Sequence, residues 1–249
     1  MLTQPLLDKL SSLRLTGFRQ ALEEQREMAH YAELSFEERL GLLVDRECTR
    51  RENNRLHRAL RAARFHEPAT IEDLDLAPSR GLQRRLVLEM AEGQWIRQHL
   101  NAIVLGPTGA GKTYLACALG QAACRQGLSV RYVRTSRLLD DLTHAHADGS
   151  YRKQLHTLAR FDLLILDDWM RDALSAKQTR DLLEVLDDRY GRRSTLLSGQ
   201  VPVDQWHSRF PDPTLADAIL DRLVHNAYRL ELKGESQRKA RSPLAMANT

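Results

Sequence analysis

Residues 106–113, GPTGAGKT, have the composition and spacing of a phosphate-binding loop, G-x-x-x-x-G-K-T. The apolar run NAIVL (101–105) precedes them and a helical pattern follows, which is the strand–loop–helix setting that such a loop requires. Its glycines let successive backbone N–H groups turn toward one phosphate chain, and the helix adds the positive end of its dipole. We therefore predict nucleotide binding at Gly106, Pro107, Thr108, Gly109, Ala110, Gly111, Lys112 and Thr113.

Two adjacent carboxylates end a second apolar run, in FDLLILDDWM (161–170). Asp167 and Asp168 repel each other and resist burial unless a cation lies nearby. Ligands of parallel sheets bind at the carboxyl ends of the strands, where the phosphate loop also leaves its strand. We therefore expect Asp167 and Thr113 to hold Mg²⁺, Lys112 to reach the terminal phosphates, and Asp168 to orient or deprotonate the attacking water.

Two later segments add polar groups to this edge of the sheet. STLLSGQ (194–200) ends a strand with Ser198 and Gln200, which can touch the γ-phosphate or the attacking water. Asp212 is expected to cap a helix with Pro213 in its first turn, and that helix runs through Arg222. Arg222 is not easily assigned to its own nucleotide, so it is either a surface arginine or one that reaches a neighbouring copy.

The predicted elements alternate between helix and strand beyond residue 82. Five strands are expected, at 101–105, 128–133, 163–166, 194–199 and 228–232. Strands separated by helices favour a parallel sheet covered by helices on both faces. An extra strand precedes the one that carries Asp167, which is typical of the ATPase branch of such proteins, and the N-K-x-D motif of GTPases does not occur in the sequence.

Residues 1–66 read as helix, and one stretch of them is strongly basic. Ser35 and Glu38 form a capping-box pattern that opens an amphipathic run ending in TRRENNRLHRALRAARF. On a helical wheel the arginines face away from Leu56 and Leu60. Such a face is either simply solvated or contacts a phosphate backbone. The candidate DNA-contacting residues are Arg51, Arg55, Arg58 and Arg61.

The pattern predicts four regions in the chain. Residues 1–67 form a small all-helical DNA- or partner-binding domain, and residues 68–81, which contain two prolines and several acids, form a linker. Residues 82–240 form the ATPase domain, which opens with the helical stretch LQRRLVLEMAEGQWIRQHL, and residues 241–249 are expected to be a loose tail.

Composition excludes several classes. Of the 249 residues 42% are hydrophobic, which supports a folded core, and the longest apolar runs are too short to span a membrane. The N-terminus lacks a secretion pattern, and three scattered cysteines do not suggest disulfides or a zinc site, so we expect a cytoplasmic protein. His144 and His146, in HAHADG, are interpreted as a polar loop. The net charge of +4 is only mildly basic.

The phosphate loop, LLILDDW, LLEVLDDRYGRRSTLLSGQVPVDQW and DPTLADAILDRLVHNAYRLELKGESQRK together resemble the IstB-like family. These are ATP-binding helper proteins encoded by insertion sequences beside their transposase, and they are AAA+ ATPases related to DnaC and DnaA. The resemblance implies an ATP- and Mg²⁺-dependent homo-oligomer that assembles on duplex DNA and recruits its cognate transposase. It further implies that Arg222 is an arginine finger acting in trans, that Arg238 is a sensor arginine, and that Gln200 and Ser198 occupy the first sensor position.

Two alternatives use the same ATPase core. One is a replication accessory that delivers a hexameric helicase through its N-terminal helices. The other is a binding module whose ATP site switches conformation with negligible turnover, which an aspartate at position 168 leaves open.

Overall fold

The computed structural model describes residues 3–234 and Ser236. By its internal contacts the chain divides into two compact units, Met1–Arg58 and Ala59–Thr249. The division falls within one long helix, ahead of the boundary predicted at residue 67. No helix in the described part of the chain is both long enough and apolar enough to cross a bilayer.

The described residues of the first unit are helical, as the sequence predicts. The helices are α1 (Thr3–Ser12), α2 (Thr16–Glu27) and the start of α3 (Phe36–Ala63), with a 3₁₀ turn at Ala29–Glu33. The predicted capping box opens α3: the Glu38 N–H donates to Ser35 Oγ at 3.2 Å and the Ser35 N–H donates to Glu38 Oε2 at 2.8 Å. Two of the unsatisfied donors at the helix start are thereby paired.

A buried carboxylate on α3 supplies the N-terminal cap that α2 lacks in its own sequence. Glu47 Oε2 accepts from the N–H groups of Gly17 and Phe18 at 2.7 and 3.1 Å. Arg51 donates to the other carboxylate oxygen at 2.7 Å. Burial alone would raise the pKa of Glu47, but the hydrogen bonds from Arg51, Phe18, Arg50 and Gly17 outweigh it and lower the pKa to about 2.

Glu47→Gln is expected to loosen the start of α2. The pKa of Glu47 in the folded protein lies below its ordinary value of 4.5. The ionised carboxylate therefore stabilises the fold fully above pH 4.5, and this stabilisation is lost as the pH falls toward 2. At neutral pH the lost charge-assisted bonds should cost about 2 kcal/mol locally. Hydrogen exchange of the Gly17 and Phe18 amides in the full chain should then accelerate roughly 30-fold, at about 1.4 kcal/mol per tenfold.

The matched control is Glu52→Gln, which removes one exposed carboxylate from the same helix. Its exchange rates should equal those of the unaltered chain. Equal rates in the Glu47 variant would mean that the cap contributes nothing.

The second unit contains a five-stranded sheet in the order β2-β3-β4-β1-β5, with every described pairing parallel. The strands are β1 (Asn101–Leu105), β2 (Val130–Arg134), β3 (Leu163–Trp169), β4 (Ser194–Gly199) and β5 (Ala227–Glu231). The remaining helices are α4 (Arg84–Ala91), α5 (Gln94–Arg97), α6 (Lys112–Arg125), α7 (Thr135–Asp148), α8 (Tyr151–Arg160), α9 (Ala176–Arg189) and α10 (Pro213–Val224). The five predicted strands are all present, with ends that differ by up to three residues.

The sheet lies in the core because its central strands are apolar along their whole length. Leu163, Leu164, Ile165 and Leu166 of β3 are fully buried, as a strand covered on both faces requires. Helix α6 packs closely: an added Cβ at Gly120 would lie 2.8 Å from the Ile165 side chain. The predicted cap of α10 is also present, since Asp212 Oδ1 accepts from the Thr214 N–H at 2.9 Å. These contacts fix the strand ends that carry the polar residues.

Two helical stretches end differently from what the pattern indicates, and one local prediction was wrong. The helical stretch predicted over 82–100 consists of two helices, because Gly93 turns the chain with φ 72° between α4 and α5. The basic helix stops at Ala63, and Arg64 has φ 55°. His146 is in α7 and not in a loop: its Nε2 lies 2.8 Å from Asp181 Oδ1 and its ring stacks on Tyr151. In each case the local structure depends on a tertiary contact or on a residue with positive φ, and composition indicates neither.

The cysteines are free thiols of two kinds. Cys48 is exposed, whereas Cys117 and Cys124 are buried in α6. Burial raises the pKa of Cys117 to about 11 and that of Cys124 to about 12. Both buried thiols are therefore inert packing groups at neutral pH.

Candidate active site

The phosphate loop joins β1 to α6 through glycines in conformations that other residues avoid. Gly106 has φ 154°, and an added Cβ there would lie 2.6 Å from the carbonyl oxygen of Leu232. Gly111 has φ 92° and precedes the first residue of α6. The loop therefore presents its backbone N–H groups and the positive end of the α6 dipole to one region.

The ends of α6 and β3 bring the predicted metal-binding pair together. Thr113 Oγ1 donates to Asp167 Oδ2 at 2.9 Å, although the two residues are far apart in sequence. Asp167 is buried, with 3% of its surface exposed. The Lys112 ammonium group donates to the Pro107 carbonyl oxygen at 2.9 Å, so its charge lies over the loop.

A bulge in β3 explains how two consecutive aspartates reach the same edge. Leu166 pairs with Leu197 and Trp169 pairs with Gly199, so Asp167 and Asp168 together face one residue of β4. Asp168 is in the bulge and has a positive φ of 53°. In a regular strand the two side chains would point to opposite faces of the sheet.

Asp168 is half-exposed and has two cationic partners. Its Oδ2 lies 3.4 Å from Arg171 NH1 and 3.8 Å from Arg134 Nε. Arg134 NH2 in turn lies 3.3 Å from His66 Nε2. These two guanidinium groups fix the direction of the Asp168 carboxylate.

A cavity of about 540 Å³ lies over the phosphate loop and is large enough for a nucleotide. Of the predicted site residues, Asp168, Gln200 and the loop from Thr108 to Thr113 line it. Eight further residues line the cavity, and no motif in the sequence indicated them. These are Glu67, Asp73, Leu74, Asp75, Arg80, Leu82, Tyr114 and Leu232.

The segment 68–81 is therefore a wall of the cavity as well as a connection. Its turn is held by Thr70, whose Oγ1 donates to Asp73 Oδ2 at 2.6 Å. The buried Arg80 donates to the carbonyl oxygen of Ala110 in the phosphate loop and lies 3.7 Å from Asp75 Oδ2. A buried arginine beside prolines leaves no distinctive sequence pattern, so only the structure identifies it.

The two polar residues expected at the end of β4 differ in position. Gln200 lines the cavity and its Oε1 accepts from Thr108 Oγ1 at 2.8 Å. Ser198 is fully buried and its Oγ has no hydrogen-bond partner among the described residues. Gln200 is thus the better placed of the two to meet a terminal phosphate.

Arg222 does not line this cavity in the described part of the chain. Its Nε pairs with Asp187 on α9, its NH1 donates to the Ala218 carbonyl oxygen at 2.7 Å, and its guanidinium lies 5.9 Å from the centre of the Tyr190 ring. Arg238 falls outside the described residues.

The model of the family described as "IstB-like ATP binding protein" matches residues 8–245. The chain belongs to the IstB-like ATP-binding proteins. A Sinorhizobium fredii protein named as an insertion sequence ATP-binding protein is 47% identical over 239 residues, which cover 96% of this chain and 98% of that protein. A Pseudomonas fluorescens insertion sequence ATP-binding protein is 51% identical over 203 residues, covering 81% of this chain and 88% of that one.

The crystal structure of DnaI resembles this IstB-like chain in fold. The TM-score is 0.58 at 22% identity, over 71% of this chain and 94% of DnaI. This likeness concerns the fold alone, and it agrees with the predicted parallel sheet covered by helices.

The donor set of this IstB-like site fits Mg²⁺. Thr113 Oγ1 and Asp167 Oδ2 are hard oxygen donors 2.9 Å apart at the start of the phosphate-loop helix. Together with phosphate oxygens and water they would complete the octahedral shell that this ion prefers. Thr113 and Asp167 are therefore the residues that would hold it.

The four candidate DNA-contacting arginines are all exposed on α3, while Leu56 and Leu60 are half-buried, as the wheel predicts. They are not equivalent, however. Arg51 pairs with Glu47 at 2.7 Å, and Arg58 Nε donates to the Asn54 carbonyl oxygen of its own helix at 3.2 Å. Arg51 therefore has a role in holding the helical unit together.

Proposed function

We propose that this IstB-like protein hydrolyses ATP, assembles with further copies of itself on duplex DNA, and recruits the transposase of its own insertion sequence. The observation that carries the proposal is the hydrogen bond between Thr113 and Asp167 at the base of the cavity, with Asp168 on the cavity wall. This is the arrangement that phosphoryl transfer to water requires, in which catalysis depends on positioning and charge stabilisation.

The predicted site residues then have defined tasks. The loop amides and Lys112 bind the β- and γ-phosphates, and Thr113 and Asp167 would hold the magnesium ion. That ion, when bound, neutralises the charge that develops on the phosphates. Asp168 accepts a proton from the attacking water or orients it, and Gln200 donates a hydrogen bond to the γ-phosphate or to that water.

The position of Arg222 supports a shared site. It belongs to the same compact unit as the cavity but does not line it, and its guanidinium is held by Asp187 of α9 and by Tyr190, the residue that follows α9. A cation held in this way can complete the γ-phosphate site of a second copy. The roles of Arg238 and of the transposase as partner rest on the family resemblance.

Neutralising Arg55, Arg58 and Arg61 to Gln should weaken binding to every duplex tested, because phosphate contacts carry no sequence information. Each lost contact should reduce the slope of log K against log salt by about 0.9. Fluorescence anisotropy with labelled duplexes over a salt series measures that slope.

The control is a triple variant in which three other exposed arginines are replaced by Gln, so that the same charge is removed elsewhere. These are Arg137, Arg180 and Arg192. Its slope should stay closer to that of the unaltered protein. If the triple variant in α3 leaves the salt slope unchanged, the arginine face of α3 does not contact DNA and is only a solvated surface.

The experiment that tests the whole proposal is electron microscopy of the purified protein with ATP, with and without duplex DNA. Ordered assemblies that require both are expected. A parallel pull-down should capture the transposase encoded beside the gene rather than a replicative helicase. Capture of the helicase alone would favour the loader alternative, and a protein that stays monomeric with ATP and DNA would refute self-assembly.

A further inference from the structure

Asp167 has a second side-chain partner that no motif in the sequence announces. The Tyr132 hydroxyl donates to Asp167 Oδ2 at 2.7 Å, the same oxygen that accepts from Thr113 at 2.9 Å. Tyr132 is buried, with 6% of its surface exposed. A buried hydroxyl thus contacts the same carboxylate oxygen as Thr113. Packing alone does not require this hydroxyl, since an apolar side chain would fill the space equally well.

The geometry of β2 and β3 makes this contact rigid. The parallel register pairs Tyr132 with Ile165, two residues before Asp167 on the neighbouring strand. The main chain of Asp167 is also held, because Thr135 Oγ1, at the start of α7, donates to the Asp167 carbonyl oxygen at 2.9 Å. The ring of His66 lies nearly parallel to the Tyr132 ring, at 14° and 6.3 Å between centres.

Tyr132 acts here as a neutral donor. A phenol keeps its proton at neutral pH, so the Tyr132 hydroxyl donates and the Asp167 carboxylate oxygen accepts.

We propose that Tyr132 is a positioning residue for the magnesium site: its hydroxyl holds the Asp167 carboxylate in the one orientation that meets an ion bound beside Thr113. This inference rests on the proposed function, because it assumes that ATP binds with Mg²⁺. Partners that orient metal ligands are worth about 10- to 100-fold in metal affinity in other proteins. A contact that serves only to fill the core would leave metal affinity unchanged.

The test is Tyr132→Phe, which keeps the buried ring and removes only the hydroxyl. A fluorescent ATP analogue is bound to the full chain and Mg²⁺ is titrated, so the readout is binding and not turnover. The Mg²⁺ concentration at half-maximal response should rise about 10-fold. Affinity for the same analogue in EDTA should be unchanged.

The matched control is Tyr151→Phe. Its hydroxyl also donates to a carboxylate, Glu184 Oε2 at 3.0 Å, but it lies outside the residues that line the cavity. This variant should show the Mg²⁺ response and thermal unfolding of the unaltered protein.

An unchanged Mg²⁺ response in Tyr132→Phe would overturn the inference. So would an equal loss of affinity with Mg²⁺ and in EDTA, since that would indicate a general structural defect. If the unaltered protein itself bound the analogue without any response to Mg²⁺, the proposed function would fail, and this result is distinguishable from the other two.

Discussion

Arg222→Ala is expected to abolish ATP turnover while leaving ATP affinity intact. Arginine fingers contribute about 10³- to 10⁵-fold in rate in related phosphoryl-transfer enzymes. Arg222 does not line the cavity of its own chain, so its removal should not disturb nucleotide binding there. Steady-state phosphate release, measured beside binding of a fluorescent ATP analogue, separates the two effects.

The control is Arg180→Ala on α9, which removes an exposed arginine that donates to its own helix at Ala176. Its turnover should match that of the unaltered protein. A parallel loss of ATP affinity and turnover in Arg222→Ala would indicate that the Arg222–Asp187 pair is needed for the fold instead.

Action between copies has a sharper test in mixed assemblies. Chains with Arg222→Ala retain a complete cavity, and chains with Asp168→Asn retain Arg222. If each interface takes its cavity and its arginine from different copies, random mixing of equal amounts should create about one complete interface in four. Turnover should therefore reappear on mixing. No rescue would contradict a finger that acts in trans.

The parts of the site that sequence could predict are those encoded locally. The phosphate loop needs glycines, a lysine and a threonine at fixed spacing between a strand and a helix, and that pattern lies in one stretch of the chain. Asp167 could be added because all parallel strands end at one edge of the sheet, and the bond from Thr113 agrees with this expectation.

The parts that sequence could not predict depend on register and on approach between distant segments. Tyr132 reaches Asp167 only because β2 pairs with β3 in one register. Arg80 meets Ala110 from a segment whose composition resembles an ordinary linker. The bulge that brings Asp168 beside Asp167 depends on how β3 pairs with β4, and the bulged segment of β3 contains no glycine to signal it.

Two helix ends could not be predicted for a related reason. A hydrophobic pattern continues through Gly93 and Arg64 as though the helix did, but both residues adopt positive φ. Periodicity records which side chains are apolar, whereas the end of a helix depends on the backbone conformation of single residues.

Asp168→Asn should produce a protein that binds ATP and hydrolyses it slowly. Loss of a positioned general base costs about 10²- to 10⁴-fold in rate. The amide can still point toward Arg134 and Arg171, although it loses the ionic attraction to both. If hydrolysis releases the assembly from DNA, complexes formed with ATP should persist longer. Single-turnover hydrolysis and the dissociation rate of labelled duplex measure the two consequences.

Asp172→Asn is the control for this variant because Asp172 pairs with the same Arg171, at 2.9 Å, but does not line the cavity. It should hydrolyse ATP and leave DNA at the rates of the unaltered protein. If Asp168→Asn leaves the turnover rate unchanged, another group activates the water. If the unaltered protein itself shows negligible turnover, ATP acts here through binding alone, and Asp168 serves to hold Arg134 and Arg171.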